Sequence, residues 1–138
     1  MIKMAEFDIS DANLPFNIDA EQTLLGALIL DSQLITKVND RITPDHFHIK
    51  THSGIYGVIS MLFVSGEEIN IISVIERCTR QGIFESNDEA RKYIFKLTES
   101  SIDSASVEGL ARILEEKFLV RQLIVASKDI YDLAPSNT

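Results

Sequence analysis

The sequence predicts an all-α protein, a compact helical bundle followed by a long helix that forms the first half of a helical hairpin. Three observations carry this reading. Apolar residues recur at helical spacing in almost every segment, and the nearest thing to a strand, Glu68 to Ile72, is interrupted by Asn70. Only three Pro and six Gly occur in 138 residues, which suits short connections between packed helices. Between Leu110 and Ala134 the chain has neither, and strong helix formers fill the stretch.

Residues 1–14 are expected to be a flexible leader, 15–100 the bundle, 101–134 a linker with the long helix, and 135–138 a tail. Pro15 ends the leader. Asn17 is placed to cap a first helix running to about Leu30, with Asp19 and Glu21 in the first turn where the helix dipole favours negative charge. Ala20, Leu24, Leu25, Leu28 and Ile29 face inward, and Gly26 costs about 1 kcal/mol relative to Ala, a cost usually repaid by close approach of a neighbouring helix. Asp31 or Ser32 caps a short second helix carrying Leu34, Ile35 and Val38. Thr43-Pro44-Asp45 reads as an N-cap with Pro at the first helical position, opening one turn around Phe47.

Thr51 is expected to cap a third helix with Ile55, Val58, Ile59, Leu62 and Phe63 at core spacing, ended by Gly66. Asn70 caps a fourth, which ends at Gly82. Ser86 followed by Glu89 is a capping box for a fifth helix that turns Ala90, Tyr93, Ile94 and Leu97 inward. A Ser-rich link, Ser100 to Ser106, leads into the long helix, Val107 to Ala134.

That last helix has two apolar faces. Leu110, Ile113, Leu114, Phe118, Ile124 and Val125 cluster on one. Leu119, Leu123, Ala126, Ile130 and Leu133 form a heptad seam pointing roughly the other way, at ~100° per residue. A helix with one apolar side packs on its own domain, whereas a second side needs another partner. The seam is therefore an expected oligomer surface.

The net charge is -8. Phosphate neutralisation by a basic face supplies most non-specific affinity for nucleic acid, so the chain is not expected to hold DNA or RNA alone. Cys78 is the only cysteine and shares an apolar helical row with Ile71, Val74 and Ile75, which marks it as buried and inert. The start of the chain lacks a signal-peptide pattern and no apolar run approaches ~18 residues, so the expected compartment is the cytoplasm, with no membrane partner.

His46, His48 and His52 fall within seven residues. A zinc site needs three or four converging ligands, and a helix opening at Thr51 would part His48 from His52. Ordinary polar histidines near a helix junction are the expectation, with no metal. There is no Gly-rich phosphate loop ending in Lys-Ser or Lys-Thr, no dinucleotide fingerprint and no nucleophile elbow. The acidic pairs Glu67-Glu68, Asp88-Glu89 and Glu115-Glu116 read as solvated. No catalytic or cofactor-binding residues are expected in this chain, which is not expected to be an enzyme by itself.

The order of segments resembles the N-terminal domain of DnaB-type bacterial replicative helicases. Pro15-Phe16-Asn17-Ile18-Asp19-Ala20-Glu21-Gln22-Thr23-Leu24-Leu25-Gly26-Ala27-Leu28 is similar to the family's opening. Asp45-His46-Phe47 with His52 and Ile55-Tyr56 resembles its second segment, and Gly66 to Val74 its third, with Asn70 where Asp is common. Tyr93 to Leu97 and Ala111 to Arg121 complete the set, over about residues 14–134. The resemblance implies a helical bundle plus a helical hairpin, with six subunits forming a collar to which primase docks through its C-terminal domain. It places Tyr93, Ile124 and Ile130 in primase binding or its control. The parent would unwind DNA with ATP and Mg held in a separate C-terminal domain, and would meet DNA only as the hexamer. The Pro usual before the hairpin is replaced around Ser101-Ile102-Asp103. The alternative is a stand-alone helical adaptor that binds a partner helix and has no motor.

Overall fold

The computed structural model describes residues 14–100 and 106–133. Most of the expected leader, part of the Ser-rich link, Ala134 and the tail lie outside the described residues. The described residues form five α-helices, α1 (Ile18–Leu30), α2 (Lys50–Val64), α3 (Ile71–Arg80), α4 (Asn87–Glu99) and α5 (Val107–Leu133), with two 3-10 turns, Ser32–Lys37 and Pro44–His46.

α1 is the hub. It packs against α2, α4, α5 and the first 3-10 turn, and it is apolar almost all round because it is enclosed on several sides. Gly26 is among its buried residues. Leu24, Leu25, Leu28, Ile55, Ile59, Leu62, Ile94, Leu97 and Leu114 are fully or almost fully buried and make a single core across α1, α2, α4 and α5.

Helix starts and stops follow the expected chemistry in most places. Asn17 Oδ1 accepts from the Ala20 N–H at 2.9 Å. Asn70 Oδ1 accepts from Ser73 N–H at 2.9 Å while Ser73 Oγ accepts from Asn70 N–H at 3.0 Å, a reciprocal capping box. Ser86 Oγ accepts from Glu89 N–H at 3.1 Å. Gly66 and Gly82 have φ of 72° and 74°, the left-handed conformation that lets the chain leave α2 and α3 through bonds such as Glu67 N–H to Leu62 O at 2.9 Å.

Two expectations are corrected. The segment after α1 is a 3-10 turn, although Ile35 and Val38 are buried as anticipated. Thr51 is not a cap: α2 begins one residue earlier, with Ile49 as its N-cap and no side-chain cap bond from that residue. The two N–H groups just ahead of α2, those of His48 and Ile49, are bound by Glu21, which is remote in sequence.

Candidate functional site

Glu21 stands in the first turn of α1, on the helical face shared with Leu24, Leu25 and Leu28, and is 1% exposed. Its carboxylate accepts from His48 N–H at 2.8 Å and Ile49 N–H at 3.3 Å, and lies 2.8 Å from His52 Nδ1. His52 is fully buried, on the α2 face that also carries Ile55 and Ile59. Its Nε2 is 2.5 Å from the Tyr93 hydroxyl on α4, and Gln22 Nε2 donates to that hydroxyl at 3.2 Å. Tyr93 is only half-buried, with Phe84 beside its ring and Lys96 Nζ 5.8 Å from the ring centroid. A chain of polar contacts thus runs from the buried α1–α2 junction to a residue that reaches the surface of α4.

The other two histidines lie elsewhere. His46 Nδ1 accepts from Thr43 N–H at 3.0 Å, and its ring is 4.5 Å from Phe118. Burial pushes the His46 pKa down, against the Thr43 contact and the Glu115 charge. His48 packs against Phe16, with ring centroids 4.7 Å apart. Among the described residues no group of three or more His, Cys, Asp or Glu is placed to hold a metal ion. His52 departs from the expected polar junction histidine because its partners, 31 and 41 residues away, draw it into the core. Cys78 is buried as expected, and burial pushes its thiol up to about 12; it is no nucleophile near neutral pH.

α5 is fastened to the bundle along its first half. Leu110, Ala111 and Leu114 are buried. Arg41 clasps Glu115 in a bidentate pair, 2.5 and 3.3 Å, which holds the Glu115 carboxyl below its ordinary range and raises Arg41. Arg121, 7% exposed, donates to the carbonyls of Pro15 at 3.0 Å and His46 at 3.1 Å. Burial lowers its pKa, opposed by the Glu21 charge. Arg121 lies seven and three residues on from Leu114 and Phe118, two helical turns and about one, so it occupies the apolar face and ends it.

Past Arg121 no residue of α5 is buried. Of the expected inner face, Ile124 is half-buried and Val125 is exposed, because the bundle stops short of a 27-residue helix about 40 Å long. Leu119, Leu123, Ile130 and Leu133 are 56–69% exposed, and Ala126 between them is exposed too. A cleft of about 420 Å³ lies beside this half, between Leu14, His48, Phe118 and Val125. Ile124 and Ile130 share this distal half with the seam. Tyr93 stands apart on α4, linked to them through α1, on which both helices pack.

The sequence marks Glu21 only as a first-turn acid and assigns no individual role to Gln22, Arg41 or Arg121. The signal for two of them was helical phase, since Glu21 and Arg121 each interrupt an apolar face with a charge that must be paired.

Comparison with known proteins agrees with this architecture. The model of the DnaB-like helicase N terminal domain matches residues 13–116. The replicative DNA helicase DnaB of Nostoc sp. is 29% identical over 119 residues, which cover 86% of this chain and 13% of that protein. The replicative DNA helicase DnaC of Bacillus subtilis is 30% identical over 116 residues, 84% of this chain and 25% of that protein. The chain therefore spans a quarter or less of these relatives. The crystal structure of the N-terminal domain of DnaB helicase from Mycobacterium tuberculosis superposes with a TM-score of 0.82 at 26% identity, covering 91% of this chain and 87% of that one. A family match across most of the chain, with the same all-helical fold, establishes that this chain belongs to the DnaB-like helicase N-terminal domain family.

Proposed function

We propose that this chain serves hexamer collar assembly and primase recruitment within a cytoplasmic replicative helicase whose ATP- and Mg-dependent motor is a separate C-terminal domain. The observation that carries the assembly half is the exposed seam of Leu119, Leu123, Ile130 and Leu133 on a helix that has left its own bundle. Each such side chain contributes roughly 1.5–3 kcal/mol when fully buried, so a matching helix has much to gain by covering them. For recruitment, the half-buried Tyr93 and the helix positions Ile124 and Ile130 are the proposed primase contacts. Tyrosine, with a rigid apolar ring and a polar tip, suits an interface anchor.

Sedimentation tests assembly. Dimers or larger species are expected at high protein concentration, diminished by Leu123→Glu or Ile130→Glu, and a strict monomer would overturn it. A P-loop domain encoded in the same reading frame separates a helicase from a motor-free adaptor.

A further inference from the structure

We propose that Glu21 and His52 are positioning residues for Tyr93, fixing its hydroxyl proton inward so that Tyr93 offers a docking partner a hydrogen-bond acceptor. The inference rests on Tyr93 lying in the primase contact. It follows from counting donors. A carboxylate only accepts, so Glu21 requires the proton of His52 on Nδ1, at 2.8 Å. The Tyr93 oxygen already receives the Gln22 amide at 3.2 Å and lies 2.5 Å from His52 Nε2. If Nε2 also carried a proton, both of these neighbours would donate to the tyrosine and neither would take its proton. With Nε2 bare, Tyr93 O–H donates to it and every group in the chain is paired. The pair is held rigidly, since Glu21 also receives His48 N–H and Ile49 N–H. A partner meeting Tyr93 then finds its hydroxyl proton committed. The matching group is a donor, such as a lysine, arginine, amide or backbone N–H, that displaces or joins Gln22.

The chain's own nitrogen NMR spectrum tests the relay without any partner. The wild type is expected to show His52 protonated on Nδ1 with Nε2 an unprotonated, hydrogen-bonded nitrogen, and Tyr93→Phe should shift Nε2 toward a free one. A His52 protonated on Nε2 in the wild type overturns the proposal. Binding to the primase C-terminal domain is the second readout. Tyr93→Phe should weaken it about fivefold, the worth of one hydrogen bond. His52→Phe, if folded, should do the same, and the double variant should be no weaker than Tyr93→Phe alone. Additive losses, or a folded His52→Phe of unchanged affinity, overturn positioning. Unchanged binding by both Tyr93→Phe and Tyr93→Ala overturns the placing of Tyr93 in the contact, and with it the proposed docking role.

Discussion

Glu21 satisfies three donors at once, and removing it strands His52 in the core and the half-buried His48 and Ile49 N–H groups beside it. Glu21→Ala should cost about 3 kcal/mol or more, since each stranded donor costs about 1–3 kcal/mol. Glu21→Gln, which keeps one accepting oxygen, should cost less. Urea midpoints compare the two, and an unchanged midpoint for the alanine variant would mean that solvent enters the junction. Acid should act through two other groups. The His46 pKa is depressed by burial, so its contribution is complete above the unfolded value of ~6.5 and is lost as pH falls through the lower folded value. Glu115, depressed by Arg41, follows the same sign from ~4.3 downward. Stability should therefore fall in two stages on acidification, and His46→Asn should flatten the first in a pH series of thermal melts. This polar network was only partly legible in the sequence. Helical phase marks Glu21, His52 and Arg121 as charged or polar groups on apolar faces, but periodicity within a helix says nothing about partners on another helix.

Element boundaries were the most legible feature because they are set by local chemistry. Asn17, Asn70 and Ser86 each accept from a backbone N–H three residues on, and Gly66 and Gly82 take the positive φ that their positions demand. Asn70→Ala should cost about 1 kcal/mol, read as a lowered melting temperature, and an unchanged value would mean that Ser73 alone holds the start of α3. The exception at Thr51 has a physical reason: a carboxylate from α1, 27 and 28 residues away, binds the N–H groups of His48 and Ile49 and fixes the approach to α2, so the helix opens at Lys50 ahead of Thr51. α5 was legible in its two faces but not in where the inner one ends. That end is set by Arg121, whose guanidinium ties the helix to the carbonyls of Pro15 and His46. Arg121→Ala should loosen the second half of α5 from its anchor, and faster amide exchange beyond residue 118 than in the wild type is the expected sign. Exchange unchanged there would assign the anchoring to Leu114 and Phe118 instead.

At the scale of the whole molecule, the succession of helices and the amphipathic order of the chain were legible, whereas the docking of α1 as a hub was not. Ala20, Leu24, Leu25, Leu28 and Ile29 are buried as their spacing implies, but spacing within one helix does not say which other helices cover it. The charge distribution leads to the last prediction. A net charge of -8 already opposes a polyanion, and many cations are spoken for. Arg41, Arg77, Arg80, Lys92 and Lys128 each sit against a carboxylate, and Arg121 is buried. Binding to DNA gains its free energy from releasing counterions as phosphates meet free Lys and Arg, and log affinity then falls steeply with log salt. With cations neutralised internally, this chain should show no submicromolar dissociation constant for single- or double-stranded DNA at physiological salt, and little salt dependence in any residual binding. Fluorescence anisotropy across a salt series would decide it. A tight constant with a steep salt slope would mean that the helices gather a basic stripe on assembly, and that the collar itself holds DNA.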